Sequence, residues 1–107
     1  LGVGVRRGRP FCRRNRLWRA IDEGRAAWHV EVGDTLYAKG DLDGAIDEYR
    51  EALRLNPNDA NTHNNLGVAL EEGDRRGALE QYRAAYMLEP KDATYKRNYE
   101  RLLRQMN

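Results

Sequence analysis

Apolar residues recur along this chain at helical intervals, and the pattern then returns. Ala45, Ile46, Tyr49, Ala52 and Leu53 share one helical face, and Ala78, Leu79, Tyr82, Ala85 and Tyr86 repeat that stripe 33 residues later. A fainter stripe of the same period, His29, Val32, Gly33 and Leu36, returns 34 residues on as His63, Leu66, Gly67 and Leu70. The stretch 40–59, GDLDGAIDEYREALRLNPND, shares ten of its twenty residues with 73–92, GDRRGALEQYRAAYMLEPKD. The offset shrinks by one between Leu70 and Gly73, so the second copy has lost a residue there. Each copy predicts a pair of amphipathic helices, and a closing helix comes after Asp92, with Tyr95, Tyr99, Leu102, Leu103 and Met106 on one side.

Punctuation agrees with the stripes. Gly40 and Gly73 are placed to end a helix in the left-handed conformation, and Asp41 and Asp74 to cap the next one. Pro57 and Pro90 stop the second helices, and Asp59 and Asp92, two residues further on, cap the next helix in each case. Gly33 and Gly67 cost about 1 kcal/mol each in a helix interior relative to alanine, so their recurrence asks for close packing. Self-similarity at this period is the signature of a solenoid, in which each unit buries its apolar face only by stacking on the next. The expected fold class is therefore all-α, an α-solenoid of antiparallel helical hairpins.

The pattern resembles the tetratricopeptide repeat family, on Gly33, Gly40, Ala45, Tyr49, Ala52 and Pro57 and, in the second copy, Gly67, Gly73, Ala78, Tyr82, Ala85 and Pro90. The resemblance implies a right-handed superhelix with repeats at 26–59 and 60–92 and a capping helix at 93–107. Departures are the residue lost after Leu70, Gly44 and Gly77 in the first turn of the second helices, and histidine at 29 and 63 in place of a large aromatic.

Charge is unevenly spread. The chain of 107 residues has a net charge of +2, but residues 1–25 carry eight arginines against Asp22 and Glu23, leaving the remainder at −4. This basic arm, RRGRPFCRRNR, expects an anionic partner or contact with the acidic body of its own or a neighbouring chain. Phe11, Leu17, Trp18 and Ile21 could form the stripe of a helix started by Pro10 and ended by Gly24. Two arrangements are open: the helix packs as an amino-terminal cap, or it fuses with the first repeat helix and reaches a second chain. Nucleic-acid binding by the arm, through phosphates and stacking on Phe11 and Trp18, ranks below both because the rest of the chain is acidic.

Catalytic constellations are not expected. Serine is absent, no glycine-rich phosphate loop is formed, and the two histidines stand at equivalent repeat positions, which repetition explains better than metal ligation. No cofactor or metal is expected. The lone Cys12 and the want of any long apolar run predict a reducing, cytoplasmic setting without a membrane span or signal peptide.

The resemblance implies a concave groove lined by the first helices of each repeat. The implied groove residues are Val30, Asp34, Tyr37 and Ala38, then Asn61, Asn64, Val68 and Glu71, with Thr94, Arg97 and Arg101 extending the face. Asn61, Asn64 and Asn65 either offer amides to a peptide backbone or simply occupy early helix turns, where asparagine is tolerated. Arg97 and Arg101 either meet a ligand carboxylate or form the solvated side of a cap helix. Of the positions with which some members clamp acidic chaperone tails, only Asn65 matches, so that ligand is not expected. The expected function is a protein-interaction module holding an extended peptide or a partner helix in the groove. The alternative is a self-associating module whose arm docks on a neighbouring chain.

Overall fold

The computed structural model describes residues 16–107 as five α-helices: α1 (Arg16–Ala38), α2 (Leu42–Leu55), α3 (Ala60–Leu70), α4 (Arg75–Leu88) and α5 (Ala93–Gln105). Each helix packs on the next, α1 on α2, α2 on α3, α3 on α4 and α4 on α5. The loops hold only three or four residues, so neighbours run antiparallel. This is the stacked solenoid that the two stripes and their punctuation require. No described helix is long and apolar enough to cross a membrane.

Local chemistry sets the helix ends. Asp41 and Asp74 accept from the amides of Gly44 and Gly77, each at 2.9 Å, and Asp92 accepts from Thr94 and Tyr95 at 2.9 and 3.1 Å. Asp59 takes the Thr62 hydroxyl at 2.8 Å. The glycines at 44 and 77 are explained by these caps: a Cβ at Gly44 would stand 2.6 Å from Asp41 Oδ2, and one at Gly77 would collide with the Asp74 carboxylate. Asn56 and Glu89, each preceding a proline, leave helical backbone and end α2 and α4.

Two expectations need correction. Gly40 is left-handed, with φ +88°, but Gly73 is not. The one-residue deletion is the reason: Asp41 N–H reaches back five residues to the Leu36 carbonyl, whereas Asp74 N–H closes on Leu70 only four residues back, a turn that needs no left-handed residue. The second correction concerns Gly24, which does not end a helix. It lies inside α1, which fuses the pre-repeat segment to the first repeat helix, and Leu17, Trp18 and Ile21 are exposed rather than folded back as a cap. Phe11, Cys12 and the arginines up to position 14 lie outside the described residues.

The core tracks the stripes. Ala45 and Tyr49 of α2, Leu66, Ala69 and Leu70 of α3, Ala78 and Tyr82 of α4 and Leu102 of α5 form one buried cluster, and Ala26, Ala52 and Leu55 form a second between α1 and α2. Gly33 and Gly67 are the seats of the two tyrosines. A Cβ there would meet the Tyr49 or Tyr82 ring at 2.7 Å, so the ring lies directly on the facing helix. The close approach that these glycines imply is made by an aromatic ring, and it fixes how α2 sits on α1 and α4 on α3.

Candidate functional site

Those seated rings carry their hydroxyls through to the far side of the first helices. The Tyr49 hydroxyl donates to Asp34 Oδ1 of α1, and Asn65 of α3 donates its amide to the same oxygen at 3.4 Å. Both bonds end on Oδ1, leaving Oδ2 without a hydrogen-bond partner among the described residues. Around this carboxylate, Asp34, Tyr37, Tyr49, Asn65 and Val68 line an open pocket of about 230 Å³ between α1 and α3. Tyr37 and Val68 are partly exposed and supply its apolar walls.

The second repeat solves the same hydroxyl problem with a different residue. The register counterpart of Asp34 is Val68, which cannot accept a hydrogen bond. The Tyr82 hydroxyl donates instead to Glu71 Oε1 at 2.7 Å, from the C-terminal cap of α3. Arg101 of α5 closes on both oxygens of Glu71, at 2.7 and 2.9 Å, a bidentate pair. Asn98 of α5 donates to Asn64 of α3 at 2.9 Å. A polar ladder therefore runs across the first helices, from α1 through α3 to α5.

Its electrostatics are those of partly buried phenols beside carboxylates. Burial raises the Tyr49 and Tyr82 hydroxyls well above an ordinary phenol, and the bonds to Asp34 and Glu71 raise them further. The Arg101 guanidinium holds the Glu71 carboxyl below the usual carboxylate range, with the Tyr82 hydroxyl helping. Both phenols are thus fixed donors, and Glu71 is occupied by its partners.

The implied groove residues separate into four groups. Asp34, Tyr37 and Val68 come together in the pocket. Asn64, Glu71 and Arg101 bond to residues of the neighbouring helices and form the frame. Asn61 and Arg97 are exposed, with no hydrogen bond or ion pair among the described residues. Val30 is half-buried and packs against both core clusters, where it spaces α1 from the core. Tyr49, which the stripe marks only as a stacking wedge, also holds the pocket carboxylate. Phenylalanine would fill the same space, so tyrosine in both copies is the signal that each hydroxyl has an acceptor.

The histidines are structural as well. His29 Nδ1 lies 2.6 Å from Glu48 Oε1, and His63 Nδ1 lies 2.7 Å from Gln81 Oε1, with His63 Nε2 2.8 Å from the Pro57 carbonyl. Each ties a first helix to the second helix of its own repeat, which a large aromatic could do only by packing.

The sequence matches the family model for the TPR repeat over residues 33–74, from the tyrosine seat in α1 to the cap of α4. No curated protein matches the chain. The five helices stacked in sequence, with α5 last, are consistent with TPR repeats, and the match over 33–74 supports, in general terms, a protein–protein interaction module.

Proposed function

We propose that the face formed by α1, α3 and α5 holds an extended peptide, anchored by a basic side chain in the pocket around Asp34. The observation that carries this reading is the carboxylate itself. Tyr49 and Asn65 both bond to its Oδ1, its Oδ2 has no hydrogen-bond partner among the described residues, and Tyr37 and Val68 stand beside it. A lysine or arginine fits that combination, with its aliphatic stem against Val68, its charge on Asp34 and the Tyr37 ring in reach of a cation–π contact. Asn61 and Asn64 flank the path with amides suited to a peptide backbone, and Arg97 offers positive charge at the α5 end. Arg101 contributes less to a ligand because Glu71 already holds it.

Selection from a random peptide display library tests this. Enriched peptides should carry a lysine or arginine, and Asp34→Asn, which keeps an acceptor for Tyr49, should weaken them at least tenfold. Enriched peptides indifferent to both Asp34→Asn and Val68→Glu would place the binding face elsewhere.

A further inference from the structure

The outer face of α1 lies away from the groove, and a comparison within the molecule shows what it is built for. α1 and α3 share one register, offset by 34 residues. On α3, Thr62, Leu66, Ala69 and Leu70 are buried, the last three in one cluster with Ala45 and Tyr49 of α2. Their counterparts on α1 are Trp28, Val32, Thr35 and Leu36. These positions line an open pocket of about 240 Å³ with Glu31, and Trp28 is 60% exposed. Ile21 and Trp18 continue the apolar surface toward the N-terminus, at 42% and 45% exposure. Trp18, Ile21 and Trp28 together leave roughly 350 Å² of apolar side chain in water, the size of the largest patch on a typical monomer, which is often a functional one.

Gly24 adds an independent observation. A glycine inside a helix costs stability, and at Gly33 and Gly67 a tyrosine ring explains it. At Gly24 a Cβ would meet nothing within 4 Å, so nothing among the described residues requires the missing side chain. It lies one turn before Trp28 on the same exposed face, and the two positions straddle residue 26 symmetrically. An antiparallel two-fold axis passing beside residue 26 would therefore set each Trp28 over the other chain's Gly24, a large side chain over a hole. The same operation brings Ile21 to Glu31 and Val32 of the second copy.

The other end of the stack does not fit this face. The outward residues of α5, Lys96 and Arg104, are exposed and charged, so head-to-tail stacking would desolvate them against tryptophan. Self-pairing of α1 avoids that cost. The contact doubles the exposed apolar area and adds Val32, Thr35 and the stems of Arg25 and Glu31, reaching on the order of 1,000 Å², the lower end for specific interfaces.

We infer that the chain forms a two-fold symmetric homodimer through antiparallel α1 helices, with Trp28 of each copy seated over Gly24 of the other. Sedimentation velocity of the full chain over micromolar to several hundred micromolar concentration tests it. The expected result is a concentration-dependent dimer. Trp28→Glu and Gly24→Leu should each weaken it at least tenfold while the helical circular dichroism stays unchanged, since both positions are open in the single chain. Val68→Glu, in the groove, should leave it intact, which separates this surface from the peptide site. A wild-type chain that is monomeric throughout would overturn the inference. So would a dimer that survives Gly24→Leu, or a monomer whose Trp28 resists acrylamide quenching, which would mean that the chain's own residues 1–15 cover the face.

Discussion

The hydroxyl of Tyr82 donates to Glu71 Oε1 at 2.7 Å, although its counterpart Tyr49 donates to Asp34, at a different register position. One residue is repeated and its acceptor is not. A buried hydroxyl left without an acceptor costs about 1–3 kcal/mol, while a satisfied bond contributes about 1 kcal/mol net. Tyr82→Phe should therefore cost about 1 kcal/mol, because Glu71 keeps Arg101. Glu71→Ala should cost about 2 kcal/mol, because it strands Tyr82 and releases Arg101. Combined, the two substitutions should cost less than their sum by more than about 0.5 kcal/mol in urea denaturation, and strict additivity would show that the bond is not made.

Glycines at 33 and 67 are spatially required. Alanine at either position would bring Cβ within 2.7 Å of a tyrosine ring. Overpacking of this kind costs about 1–3 kcal/mol, against about 1 kcal/mol gained in helix propensity. Gly33→Ala and Gly67→Ala should each be net destabilising by about 1 kcal/mol. Gly24→Ala, with nothing near its Cβ, should raise stability of the monomer by up to about 1 kcal/mol. Equal shifts in thermal midpoint at all three sites would contradict the ring seats.

Stability should fall at both ends of the pH scale, for opposite reasons. Tyr49 and Tyr82 are raised in the folded chain, so their contribution is complete below about pH 10 and is lost as pH rises toward their folded values. Glu71 is lowered, so its contribution is present above about pH 4.3 and is lost as pH falls through its folded value. An alkaline titration should show Tyr49 and Tyr82 ionising only as the helices unfold, read by tyrosinate absorbance alongside circular dichroism. Glu71→Gln should flatten the acid limb and leave the alkaline one.

Besides its bonds to α3, the closing helix has a single N-terminal cap and one fully buried side chain. Asp92→Ala removes the acceptor for two amides and should cost about 1 kcal/mol. Leu102 is fully buried, and Leu102→Ala should cost about 2–5 kcal/mol. Hydrogen exchange in α5 should rise with Asp92→Ala while α1 and α2 stay protected; uniform loss of protection would mean that the stack unfolds as a single unit.

Helices, caps and stop signals depend on residues within one or two turns of each other, so Asp41, Asp59, Asp74, Asp92 and the two prolines act where local chemistry puts them and are legible in the chain. Gly73 escapes that reasoning because its conformation is set by the length of the loop rather than by residue type. The shared register of α1 and α3 is legible in the chain, but the bonding partners of their side chains are not. Which carboxylate receives which tyrosine is decided by how a ring is seated on the facing helix.

Period and punctuation are properties of the chain read locally, and they were enough to establish the all-α repeat and the caps and stops from α2 onward, but not where α1 begins. Packing settles the rest. The contacts of Asn65 with Asp34, Asn98 with Asn64 and Arg101 with Glu71 join residues about a full repeat apart, and they exist only because stacking brings equivalent helix faces side by side. Stacking also determines which apolar residues are left over. Trp28 has the register of buried Thr62, but no described helix precedes α1 to cover it.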